Sequence, residues 1–311
     1  MKKTIEVCYD IYIEELIEKR TFSFFYMEDS CFFFVPFERK IEDLEDIIDV
    51  SKEMKSKGIN VHDFVLNKDA KILTSVNDQN YVLLRIQGEL NQTFDIFDMI
   101  DFNSRLIVNP AKNKMYKNDW VNLWSSKVDY FEYQISELGK NKRIVIDSFS
   151  YFIGLAENAI SYVNDTVINL SMSELDRISL CRKRIKYPNY RGSYMNPLNF
   201  IFDLEIRDIA EHIKSTFFFG GDAKSELEIF LKQRELGRFS YQMLYGRLLY
   251  PSYYFDLFED IMNKNEDEKK LISIIEKVDQ YEKFLLNTYF MLLKYAQINS
   301  IDWLLKKREN I

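Results

Sequence analysis

The chain has 311 residues, with 42 Lys and Arg against 49 Asp and Glu, a formal net charge of −7. Its composition, 47% hydrophobic and 15% aromatic, excludes a disordered protein and leaves room for a substantial buried core. The acidic balance argues against a general nucleic-acid binder and no apolar run reaches bilayer length, so a soluble, cytoplasmic chain with neither nucleic acid nor membrane as partner is expected. The start, MKKTIEVCYD, is basic at first, but Glu6 and Asp10 interrupt it before a signal-peptide core can form. Residues 21–37 predict two aromatic-rich strands around the turn Glu28-Asp29-Ser30. Residues 40–57 predict a helix, with Ile41, Leu44, Ile47, Ile48 and Met54 near helical spacing and Gly58 placed to end it. Two further strands are expected at 71–77 and 80–86, across an Asn77-Asp78 turn.

Such a sheet with its one helix makes residues 1–88 an N-terminal lobe, followed by a hinge near 86–90. From 89 to 311, apolar residues at i, i+3 and i+4 predict helices near 91–106, 119–138, 148–163, 203–219, 224–235, 240–262 and 267–306. The fold class expected is therefore α+β, a small antiparallel-sheet lobe and a large helical lobe, with a cleft between lobes as the default ligand site. Trp120, Trp124, Tyr130, Phe131 and Tyr133 are spaced as the core face of one helix. Tyr250, Pro251, Tyr253, Tyr254, Phe255 and Phe258 read as core too, an aromatic wall for an apolar or sugar-like ligand being the other use. Residues 263–270, NKNEDEKK, read as a solvated turn.

Cys8, Cys31 and Cys181 are odd in number and far apart, which points to reduced thiols. His62 and His212 do not stand at metal-ligand spacing from any Cys, so no metal site is expected.

The segment 180–202 contains Pro188, Gly192 and Pro197 and lacks a period, predicting a loop with a short strand at 198–202. From Arg177 through Phe202 it holds six Lys or Arg and no acid, then gives way to Asp203 and an amphipathic helix. The apolar stripe of that helix is Ile206, Ile209, Ala210, Ile213 and Phe217, and His212 is expected to contact Asp208 one turn away.

The stretches PLNFIFDLEIRDIAEHI (197–213), FIGLAENAISYV (152–163) and YGRLLYPSYYFDLFEDI (245–261) resemble the aminoglycoside-phosphotransferase-like branch of the protein-kinase-like fold. More narrowly, the chain is similar to the spore-coat-associated kinase-like proteins of endospore-forming bacteria. The resemblance implies that Asp203 stands at the metal-binding Asp that ends a short strand, and Asp208-Ile209-Ala210 at a second Asp-Leu-Ala stretch. It also implies a structural use for Glu157-Asn158 on a packing helix.

Phosphoryl transfer needs a phosphate-covering loop, a Lys on the phosphates, a carboxylate that orients the acceptor hydroxyl, and metal ligands. The first glycine is Gly58, after the helix that a glycine-rich loop would precede. The strand before that helix, SCFFFVPF, has no basic residue; Arg39 and Lys40 follow it as solvated charges, and Glu42, Glu45 and Asp46 lie on a polar helix face. The resemblance places the catalytic His-x-Asp near Cys181-Arg182-Lys183-Arg184, and no carboxylate occurs between Asp176 and Asp203. Asn189 falls near the second metal ligand, and Asp203 alone is a weak Mg²⁺ site. The expectation is a degenerate kinase-like protein, a pseudokinase with no catalytic residue and no cofactor, acting as a binding or assembly component and associated with the spore coat. The alternative is a small-molecule phosphotransferase of the aminoglycoside or choline kinase type with a rearranged site, which would use ATP and Mg²⁺.

Three uses of Arg182, Lys183, Arg184, Lys186 and Arg191 then compete. They could be solvated, one or two of them neutralising Asp203, Asp208 or Glu205. They could hold an anionic small molecule directly. Or they could dock an acidic surface of a protein partner.

Overall fold

The structure, a computed structural model, describes residues 1–19, 22–87, 92–105, 115–117, 119–138, 141–185, 189–263 and 266–308. In chain order its first elements are α1 (Lys2–Tyr9), β1 (Ile17–Glu18), β2 (Ser23–Met27), β3 (Ser30–Pro36), α2 (Asp43–Ser56), β4 (Asp63–Val65), β5 (Thr74–Val76) and β6 (Gln79–Gln87). There follow α3 (Ile96–Arg105), α4 (Trp120–Leu138), α5 (Arg143–Asn169), β7 (Ile178–Arg182), α6 (Arg191–Tyr194) and β8 (Phe200–Leu204). The chain continues through α7 (Ile206–Phe218), α8 (Ala223–Gln233), α9 (Arg238–Leu249) and α10 (Ser252–Met262). It ends with α11 (Ile272–Ile275), α12 (Val278–Leu292) and α13 (Asp302–Arg308). The backbone divides into two units: Met1–Asp95 with Ala111–Met115 and Pro188–Ile201, and Ile96–Pro110 with Tyr116–Tyr187 and Phe202–Ile311.

In the first unit an antiparallel sheet runs in the order β1-β2-β3-β6-β4, with β5 also paired to β6. Alternation on β2 and β3 sends Phe25, Phe32 and Phe34 into a core with Leu83. Both Asn77 and Asp78 take positive φ, 49° and 63°, as a tight two-residue hairpin turn demands. The unpredicted α1 closes this core with Ile5 and Tyr9, then stops where Asp10 turns left-handed at φ 53°. The sheet thus carries more than the one helix expected, and β4 is a further unpredicted strand. Arg39 is not a solvated charge: its side chain is buried, paired with Asp43, and its Nη1 donates to Phe200 O at 2.5 Å. Burial pulls the His62 imidazole down to about 3, so it packs as a neutral ring.

In the second unit several predicted helices divide differently. The single helix expected over 240–262 is α9 and α10, because Pro251 lacks an N–H and holds Tyr250 extended at φ −67°, ψ 120°. The long helix expected over 267–306 is a 3-10 turn at Glu268–Leu271 followed by α11, α12 and α13. The loop expected over 180–202 contains the end of β7, which pairs with β8, and the short α6, a part of the first unit. All five residues of β7 are buried, so no alternation marked it. Asp203 accordingly sits in β8, and its helix, α7, begins at Ile206. On α4, Trp120, Trp124 and Phe131 are core, whereas Tyr130 and Tyr133 are 49% and 65% exposed. Tyr250, Tyr254, Phe255 and Phe258 are buried as expected.

Two of the stretches that carried the resemblance meet where α5 packs on α9. A Cβ added at Gly246 would lie 2.6 Å from Val163 Cγ2 and 3.1 Å from Tyr162 Cδ1. Gly246→Ala is therefore expected to destabilise by about 1–3 kcal/mol, although Ala is the better helix former, and a urea melt would measure it. A stabilised variant would show that the two helices do not approach this closely.

Candidate functional site

β7 and β8 deliver the acids and cations of the resemblance into the interior. Asp203 has no exposed surface. Its Oδ2 accepts from Arg207 Nη1 and from Trp120 Nε1, each at 2.8 Å, and its Oδ1 accepts from Leu204 N at 2.8 Å. Arg207 reaches it because position i+4 stands one turn along the chain as β8 passes into α7. Burial opposes the Arg207 charge, but Asp203 outweighs it and pushes the guanidinium up.

Asp208, also fully buried, accepts the Arg182 backbone N–H on both oxygens at 2.9 and 3.1 Å, with Arg182 Nη1 3.9 Å away. The Arg182 guanidinium lies 4.1 Å over the Phe102 ring, and its Nη1 donates to Leu180 O at 3.0 Å. Arg207 Nε donates to Arg182 O at 3.2 Å, which joins the two pairs. Burial pushes the Cys181 thiol well up, which makes it unreactive.

The described members of the five basic residues singled out from the sequence stand in different surroundings. Arg182 is buried against Asp208. Arg184 is half exposed and stands 3.1 Å from Asp256 and 3.8 Å from Glu259, while Lys183 beside it is exposed. Arg191 belongs to the other unit, where its N–H donates to Gln92 O and its Nη1 to Gln92 Oε1. Lys186 lies outside the described residues. Of the pairings the sequence left open, Arg182 meets Asp208. Asp203 is neutralised by Arg207 from α7, and Glu205 by a two-pronged bond from Arg234 at 2.8 and 3.1 Å, neither cation coming from the basic segment. Burial nevertheless pushes the Glu205 carboxyl up, against the pull of Arg234. His212 Nε2 lies 2.9 Å from Glu226 Oε2.

A second charged cluster had no signal in the sequence. Lys214 Nζ donates to Glu211 Oε1, Arg247 O and Tyr250 O at 3.0 Å and to Ser252 Oγ at 2.7 Å. Arg247 Nε stands 2.9 Å from Glu211 Oε1, and the guanidinium lies 4.4 Å over the Trp120 ring. Although burial works against its charge, Lys214 and Arg247 hold Glu211 down at about 2, while burial lowers Lys214 to about 8. Trp120 links the clusters, giving its N–H to Asp203 and its face to Arg247. Glu211 and Lys214 occupy what reads as the polar face of α7, and contacts with the α9–α10 junction bury Lys214 and half-bury Glu211.

This arrangement does not fit the Mg²⁺ that the kinase resemblance implies. Both Asp203 oxygens already accept internal donors, and a guanidinium occupies the place of a cation. Among the described residues no three His, Cys, Asp or Glu side chains gather as metal ligands.

The family model for the spore coat putative kinase YutH matches residues 2–288. The endospore coat-associated protein YutH of Bacillus subtilis (strain 168) is 26% identical over 334 aligned residues, covering 98% of each chain. An aminoglycoside phosphotransferase from Alicyclobacillus acidocaldarius superposes with a TM-score of 0.66 at 9% identity, over 94% of this chain and 97% of that one. A spectinomycin phosphotransferase solved with ADP and spectinomycin gives 0.57 at 12% identity, over 94% and 97%. A choline/ethanolamine kinase family protein from Mesorhizobium loti gives 0.50 at 12% identity, over 89% of each. These likenesses establish a kinase-like fold, with the antiparallel-sheet region N-terminal and the helical region C-terminal. Among the described residues no helix is long and apolar enough to cross a membrane.

Proposed function

The chain belongs to the spore coat putative kinase YutH family, and from that membership we propose that it is a catalytically degenerate kinase-like protein serving the spore coat as a binding or assembly component. The observation that carries this reading is the internal saturation of Asp203: three protein donors satisfy the one carboxylate that the resemblance assigns to the metal. Asp208 is likewise occupied, by the backbone and guanidinium of Arg182. The missing glycine-rich loop, the strand without a Lys and the acid-free segment support the same conclusion. In this reading Asp203 and Asp208 are vestiges of a metal site, now used to fix β7, β8 and α7 to one another.

Calorimetric titration with ATP, with and without Mg²⁺, tests it. The expected result is no Mg²⁺-dependent binding. An affinity that requires Mg²⁺ and disappears in Asp203→Asn would refute the proposal in favour of a phosphotransferase with a rearranged site.

A further inference from the structure

In the helical unit, the cations that surround the neutralised carboxylates turn toward a second space. Lys127 from α4, Lys183 and Arg184 following β7, Arg207 from α7, and Arg247 and Tyr250 from the end of α9 line a pocket of about 50 Å³. A single bound water needs on the order of 10–15 Å³, so there is room for one headgroup of a few heavy atoms. Five cations face two acids, Glu211 and Asp256. Both acids are engaged, Glu211 by Lys214 and Arg247 and Asp256 by Arg184. Lys127 is pushed below the usual lysine range by its burial and by Arg184. Two donors in the lining, Arg247 Nη1 and Tyr250 Oη, have no hydrogen-bond partner among the described residues, and their residues are only 5% and 4% exposed. Buried donors in native proteins are rarely left unsatisfied, so two orphans on residues that line one cationic pocket mark a place for an acceptor.

The same wall opens on a larger cavity of about 490 Å³, which shares Ile185, Glu211, Ser252 and Asp256 with the small pocket. Phe218, Tyr253, Leu257 and Ile274 supply its apolar surface.

We propose that the small pocket binds the phosphate of an organic phosphate monoester directly, without metal, while the organic body lies in the larger cavity. A phosphate dianion offers three acceptor oxygens and more than one negative charge, which suits the cation excess and the two orphan donors. A carboxylate would satisfy only part of that lining. Guanidinium and ammonium groups here take the role that a metal plays in phosphate binding elsewhere. The proposal gives the binding role above a ligand class, yet it is measured without Mg²⁺ or ATP, so either reading can fail alone.

The test is calorimetry on the full chain at low salt in EDTA, with inorganic phosphate, phenyl phosphate and benzoate as probes. Phenyl phosphate is expected to bind, more tightly than inorganic phosphate and benzoate, and to weaken as salt is added. Lys183→Gln and Tyr250→Phe are each expected to weaken it about tenfold, the size of losing one hydrogen bond to a charged group. Neither change should alter the urea midpoint, since Lys183 is exposed and a Phe ring keeps the 4.2 Å stack on Trp124. No phosphate binding at low salt, benzoate binding as tight as phenyl phosphate, or binding retained within twofold in either variant would overturn the assignment.

Discussion

Glu211→Gln is expected to lower the unfolding free energy by about 3–5 kcal/mol, the cost of removing one partner from a buried ion network. Glu211 is the shared counter-charge of Lys214 and Arg247, whose side chains are 1% and 6% exposed. Without it two buried cations face each other with no anion between them. A Gln keeps the size and can still accept from Ser252 Oγ, so the loss reads the charge and not a cavity. The acid limb of the stability profile provides an independent check. Lys214 and Arg247 hold Glu211 at about 2, against an ordinary value of 4.5. Between those values the unfolded chain is protonated before the folded one. The Glu211 contribution is therefore complete above pH 4.5 and lost as pH falls toward 2. Urea midpoints at pH 7, 4 and 3 should fall less steeply in Glu211→Gln than in the native chain. Equal acid slopes would mean that the carboxylate is not held down by its neighbours.

Asp203→Ala is expected to cost a similar amount, about 3–5 kcal/mol, because it strands Arg207 and leaves the Trp120 N–H without an acceptor. The companion measurement is the double variant Asp203→Leu with Arg207→Met. Replacing both members of a buried pair by apolar residues of similar size is often near neutral, so most of the loss should be recovered. This pattern separates two uses of a buried carboxylate. An Asp kept for a metal ion is a liability in the metal-free chain, and neutralising it as Asp203→Asn would raise stability. An Asp kept for Arg207 is a support, and the same substitution would lower it. A gain in the urea midpoint of Asp203→Asn without added metal would contradict the structural use of this pair.

The elements legible in the sequence were those whose signal is local. β2 and β3 alternate because one sheet face is buried, and the Asn77-Asp78 turn follows from the tolerance of those side chains for positive φ. The apolar stripe of α7 marked it as a helix with one buried face, and the resemblance to kinase-like proteins pointed to Asp203 and Asp208 on either side of its start. β7 was not legible, since a strand buried on both faces shows no alternation. Nor was the division of 240–262 assigned, although Pro251 was visible; a Pro ends a helix or begins one depending on what packs around it.

The sequence by itself determined the two-part α+β plan, the absence of any glycine before Gly58, a strand SCFFFVPF without a basic residue, and the excess of positive charge before Asp203. It could not decide which cation meets which acid, because a pairing depends on distances between elements far apart in the chain. Tertiary structure gave Asp203 to Arg207 and Trp120, Asp208 to Arg182, and Glu205 to Arg234. It also buried Lys214 and half-buried Glu211, which spacing alone places on a solvated helix face, against the junction of α9 and α10. Burial makes each of those charges expensive to leave alone, and that is why the fold, rather than the run of residues, selected their partners.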